Sequence, residues 1–175
     1  EHDAGEPPPA RTRLRRMAAV TRTYHADGLG GEFVAHTIPL APDGGETVAT
    51  LVRCGDPVGE RAVLYVHGFS DYFFQADHAR DLAAAGLDVY AIDLRRYGRA
   101  IRPHQVPGLV RDLADYDEEL LAARAIIRSE GHRQIVLLGH STGGLIATLF
   151  AHHHPGAVDL LVLNSPWYDI NGTPL

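Results

Sequence analysis

No lysine occurs in the 175 residues; all sixteen cationic side chains are arginine. Cysteine, methionine and tryptophan occur once each, and no apolar run approaches the ~18 residues that a bilayer span requires. These shortages exclude whole classes of function. Cys54 has no second thiol to pair with and no neighbouring metal-type ligand, so neither an intrachain disulfide nor a zinc or redox site is expected. The formal net charge of −6 supplies no long-range attraction for phosphate backbones or anionic lipid. No nucleic-acid partner and no integral membrane association is expected, which leaves a small molecule as partner. The absence of lysine itself reads as coding bias and carries no function.

The remaining composition, 45% hydrophobic and 22% charged, suits one globular core. Residues 1–16 stand apart: Pro7, Pro8 and Pro9 precede Arg11, Arg13, Arg15 and Arg16, with none of the apolar core of a signal peptide. They read as a disordered leader before a domain portion over 17–175, and the location expected is cytoplasmic.

Two β-rich runs, Glu32 to Leu40 and Thr47 to Cys54, flank Pro42-Asp43-Gly44-Gly45 and predict a hairpin, since Pro sets φ and Gly accepts positive φ. The texture then changes. Runs at 62–66, 87–92, 135–138 and 160–163 are apolar with little alternation, as strands covered on both faces are. Helical stretches separate them, so the pattern predicts an α/β fold with an antiparallel start and then a mostly parallel sheet flanked by helices. One helix is expected from Asp71 to Ala85, closed by Gly86. Another is expected from Leu109 to about Arg128, with Leu109, Leu113, Tyr116, Leu120 and Ile127 inward and Arg111, Asp115, Glu118 and Glu119 outward. A third runs from Thr142 to His153 and ends at Pro155-Gly156.

The segment that carries chemistry is Ile135-Val136-Leu137-Leu138-Gly139-His140-Ser141-Thr142-Gly143-Gly144, an apolar strand entering a helix through Gly-x-Ser-x-Gly. That context defines a nucleophile elbow. Ser141 must occupy a strained strand-to-helix turn to clear the sheet, while Gly139 and Gly143 remove side chains that would collide with neighbouring elements. The following helix turns its positive N-terminal dipole towards an oxyanion formed on attack. An earlier strand independently ends in His67-Gly68-Phe69.

With these motifs the chain resembles the α/β-hydrolase superfamily, and within it the monoacylglycerol lipase and lysophospholipase-like, or serine aminopeptidase-like, group. The resemblance covers about Glu32 to Tyr168, including Asp81 to Arg95 and Leu163-Asn164-Ser165-Pro166. It implies Ser141 as nucleophile and the backbone N–H groups of Phe69 and Thr142 as an oxyanion hole, each donor typically worth ~3 kcal/mol. It also implies that His67 is a scaffold residue, that no cofactor or metal is used, and that the substrate is an ester or lipid-like molecule. The segment Asp93 to Ala100 departs from Asp-x-Arg-Gly-x-Gly-x-Ser by placing Arg96 at the Gly position and Ala100 at the Ser position. That loop shapes the family's site wall, so the departure bears on substrate.

His152, His153 and His154 do not read as a metal cluster, because consecutive helical residues point about 100° apart. The family order is Ser, then Asp or Glu, then His. After Ser141 the carboxylates are Asp159 and Asp169, and the only histidines are those three. Asp169 fits an acid only in a variant layout. The expectation is therefore a domain that continues past Leu175, with a cap starting near Trp167, and a 175-residue chain that is inactive by itself. Ser in the elbow argues against dehalogenases, which carry Asp there. The lack of His-Gly-Gly-Gly argues against hormone-sensitive-lipase-like esterases. A peptidase or C–C hydrolase of the same fold remains an alternative, as does a non-catalytic module.

Overall fold

The computed structural model describes residues 22–168. The proposed leader and Asp169 lie outside them. Seven strands make one sheet: β1 (His25–Ala26), β2 (Phe33–Pro39), β3 (Val48–Cys54), β4 (Arg61–Val66), β5 (Asp88–Asp93), β6 (Gln134–His140) and β7 (Leu160–Asn164). Their spatial order is β1-β2-β3-β5-β4-β6-β7. β1, β2, β3 and β5 pair antiparallel; β5, β4, β6 and β7 run parallel. The hairpin expected around Asp43-Gly44 is β2–β3, paired from Phe33↔Cys54 to Pro39↔Val48.

The apolar runs lack alternation because both faces of the sheet are covered. On one face Ala62, Leu64 and Val66 of β4 pack with Leu120, Ile127, Ile146 and Phe150 from α2 (Asp117–Ser129) and α3 (Thr142–His153). On the other, Val63 and Tyr65 pack with Phe33, Phe73 and Ala79, the last from α1 (Ala76–Ala84). β7 is the exception: Leu160, Val162 and Leu163 are 56, 38 and 37% exposed.

Two helices start later than their periodicity predicts. The segment 71–75 is a loop rather than the first turn of α1, because the Phe73 amide donates to the buried Asp93 carboxylate at 2.8 Å and is tied to the end of β5. The helix expected from Leu109 begins as a 3₁₀ turn at Leu113–Tyr116, where Asp112 caps by accepting from the Ala114 amide at 2.9 Å. Leu109 is outside the helix and half exposed. Glu119, expected on the wet face, is fully buried, because Arg95 just past β5 donates to both of its carboxylate oxygens, to Oε1 at 3.1 Å and to Oε2 at 2.6 Å. A buried carboxylate without such a partner would be strongly unfavourable.

Candidate active site

β6 and α3 meet at Ser141, whose backbone has φ 54° and ψ −122°. Few residues other than glycine tolerate such a conformation, so a serine there signals a strained turn held by its surroundings. The holding groups come from the end of β7, the chain just after it and the first turn of α3. The Ser141 amide donates to the Asn164 carbonyl at 3.1 Å, and the Ser141 carbonyl accepts from the amides of Gly144 at 2.9 Å and Trp167 at 3.0 Å.

The flanking glycines are required by close backbone approach. A Cβ on Gly139 would lie 2.5 Å from the Gly143 carbonyl oxygen and 2.7 Å from Gly144 Cα. A Cβ on Gly143 would collide with the carbonyl oxygens of Val66 and His67. Gly144 has the same constraint, a Cβ there falling 2.8 Å from Pro166 Cβ. Its role is not legible from the five-residue motif; the added signal is the second Gly of Thr-Gly-Gly facing Ser165-Pro166 just after the next strand.

Gly68 brings the end of β4 to the serine, and Phe69, Ser141, Thr142 and Trp167 together line a depression of about 490 Å³. The amides of Phe69 and Thr142 have no acceptor among the described residues. The site therefore pairs one half-buried serine lining the depression with two uncommitted backbone donors and the positive end of a 12-residue helix. Such a set can hold a carbonyl oxygen that gains negative charge.

His67 is buried, and its ring is committed on both sides. Nε2 accepts from the Leu94 amide at 3.2 Å and Nδ1 bonds the Gly68 carbonyl at 2.8 Å. Burial pushes it below the usual imidazole value, against the opposing influence of the Gly68 carbonyl and of Asp93 and Asp71. A neutral His67 braces the loop bearing Phe69. His153 Nδ1 and His154 Nε2 both bond Asp117 Oδ2, at 2.7 and 3.1 Å, between the start of α2 and the end of α3. The convergence is on a carboxylate, and among the described residues no group of three or more His, Cys, Asp or Glu is arranged to hold a metal ion. His140, which sequence reasoning passed over, has a buried Nδ1 with no partner among the described residues. No helix of the described residues is long and apolar enough to cross a membrane.

A mixed sheet whose parallel part delivers a Gly-x-Ser-x-Gly turn to its carboxyl edge is the arrangement of the α/β hydrolases. A serine aminopeptidase, S33, family model matches residues 59–174, and the chain belongs to that family. It is similar to lysophospholipase L2 of Escherichia coli strain K12, 36% identical over 117 residues, covering 63% of this chain and 34% of that protein. It is also similar to monoacylglycerol lipase of Mycolicibacterium smegmatis, 31% identical over 156 residues, covering 86% of this chain and 49% of that one. A carboxyl esterase from Bacillus coagulans shares the fold with a TM-score of 0.61 at 20% identity, over 74% of this chain and 43% of the esterase. The chain thus spans a third to a half of the length of these curated relatives.

Proposed function

We propose that the protein is a serine hydrolase of carboxylic esters, acting on acylglycerol-like or lysophospholipid-like substrates through an acyl-serine intermediate on Ser141. The observation that carries this reading is the strained Ser141 backbone, which stands at the start of α3 beside the uncommitted Phe69 and Thr142 amides. Ser141 Oγ attacks the ester carbonyl, its proton passes to a base, and the alcohol leaves as the carbonyl reforms on the acyl-serine. Water then releases the acid by the same route in reverse. The two amides hold the oxyanion at both stages. An apolar depression beside the serine and relatives named as lysophospholipase and monoacylglycerol lipase support the substrate class.

His67, His153 and His154 are engaged elsewhere, as described above. We place the acid and base later in the domain, of which residues 17–175 form the N-terminal portion, in the order usual for this fold. A serine lacking its base retains only the ~10³-fold or so that binding and oxyanion donors supply, so the 175-residue chain is expected to be nearly inert towards p-nitrophenyl esters. The test of the reading is covalent: a fluorophosphonate probe should label the protein at Ser141 and not label Ser141→Ala. Labelling that persists at another residue would overturn the assignment.

A further inference from the structure

A second pocket of about 350 Å³ adjoins the serine depression, with the Phe69 side chain shared between them. Tyr72, Tyr97, Ile101 and Pro107 give it an apolar lining. Its volume lies at the lower end of the roughly 300–1,000 Å³ of small-molecule sites. The inner walls are fixed from the core. Asp93 is fully buried and binds the Phe73 amide at 2.8 Å, the Arg99 amide at 2.9 Å and the Arg99 guanidinium at 2.8 Å.

The outer wall, 107–109, belongs to no helix or strand; within it the Leu109 amide donates to the Val106 carbonyl at 3.3 Å, and its ties to the rest of the fold run to Arg96. The Arg96 carbonyl accepts from the Gly108 amide at 3.0 Å, while its guanidinium donates to the Leu109 carbonyl at 2.6 Å and pairs with Asp43 of the β2–β3 turn. Arg96 does this with φ 66°, in the left-handed region that favours glycine, at the position where the resembling motif has Gly. A non-glycine residue persists in that region only where the surroundings over-determine it. The wall in turn reaches the active site: a Cβ on Gly108 would lie 3.2 Å from the Tyr97 hydroxyl and 3.6 Å from the Phe69 ring.

We propose that this second pocket is a subsite for an apolar arm of the substrate, and that Arg96 is a positioning residue that clasps its outer wall. The inference rests on the serine-hydrolase reading. The two terminal nitrogens of the guanidinium are engaged by Leu109 and Asp43 and its Nε is buried, so its part is to hold the wall and not to meet a ligand charge. Removing it leaves the Gly108–Arg96 backbone bond but releases the Leu109 carbonyl and Asp43, which loosens the seat of a long chain while leaving the bond-breaking groups in place.

The test uses the full protein and two fluorophosphonates, one with a methyl-sized alkyl group and one with an octyl chain, read as the ratio of their labelling rates at Ser141. A global loss of activity moves both rates and leaves the ratio alone. Arg96→Gly should lower the octyl-to-methyl ratio about tenfold, the scale on which apolar pockets discriminate chain size. Arg96→Lys, which keeps a cation for Asp43 without the planar fork, should give an intermediate ratio. Ile101→Trp should lower the ratio by filling the pocket with the clasp intact, and it decides alone if Arg96→Gly does not fold by thermal melting. An unchanged ratio in a folded, labelled variant overturns the subsite. Wild-type protein that takes up neither probe overturns the serine-hydrolase reading, and the subsite with it.

Discussion

Gly68 and Ser141 touch across the carboxyl ends of β4 and β6: a Cβ on Gly68 would stand 3.1 Å from Ser141 Cβ and 3.6 Å from its Oγ. The parallel register explains the contact, since Val66 is paired with Gly139 and each strand continues two residues to the meeting point. Gly68→Ala must displace either the serine or the Phe69 amide by a few tenths of an ångström. It should slow fluorophosphonate labelling of Ser141 roughly tenfold to a hundredfold, as small misplacements of reacting groups do. Circular dichroism should show the fold retained; a labelling rate equal to wild type would refute the packed contact.

Gly143→Val should act on folding instead. Its Cβ would enter the space of the Val66 and His67 carbonyl oxygens, which are backbone atoms of the central strand and cannot swing aside. The expected cost exceeds about 3 kcal/mol, above the ordinary range for substitutions. Denaturant melts of wild type and variant measure it, and superimposable curves would mean that α3 does not approach β4 as described.

Ser141 holds a conformation of the kind that costs about 1–3 kcal/mol for a residue bearing Cβ. Ser141→Gly should accordingly be more stable than Ser141→Ala by ~1 kcal/mol or more, since glycine both accepts the positive φ and is the better N-cap of the two. Comparison of the two melting temperatures tests it, and a lower value for the Gly variant would count against strain at the elbow.

At the opposite end of the sheet, Glu130 accepts from the Tyr24 and Tyr90 hydroxyls, each at 2.6 Å, and from Arg53 at 3.3 Å. Burial alone would raise its pKa, but these donors outweigh it and hold the carboxyl below its usual value. A depressed folded-state pKa gives stability that is complete above the unfolded value, about 4.3, and is lost as pH falls through the folded one. Glu130→Gln should therefore cost about 1–3 kcal/mol at pH 7, the scale of hydrogen bonds to a charged group. The gap between the two melting temperatures should narrow as the pH is taken below 4.3. A gap independent of pH would show that Glu130 does not act as an anion there.

The amino-acid sequence by itself determined six of the seven strands and the elbow; the two-residue β1 carries no pattern long enough to read. Apolar runs at 62–66, 87–92, 135–138 and 160–163 can be satisfied only between two layers, and a serine between two glycines at a strand–helix junction has few other uses. These are local signals of backbone conformation and of which faces are dry. What tertiary structure decided are the matters that depend on partners far along the chain. Glu119 has the helical phase of a solvated residue, yet Arg95, 24 positions away, draws it into the core. Asp93, 20 positions from Phe73, sets where α1 begins and shortens the helix expected from Asp71. Tyr24 and Glu130 meet across 106 residues, and Arg96 and Asp43 across 53. Nothing in the pattern around any one of those residues encodes its partner, because a hydrogen bond between distant segments is selected by the folded backbone that brings them together.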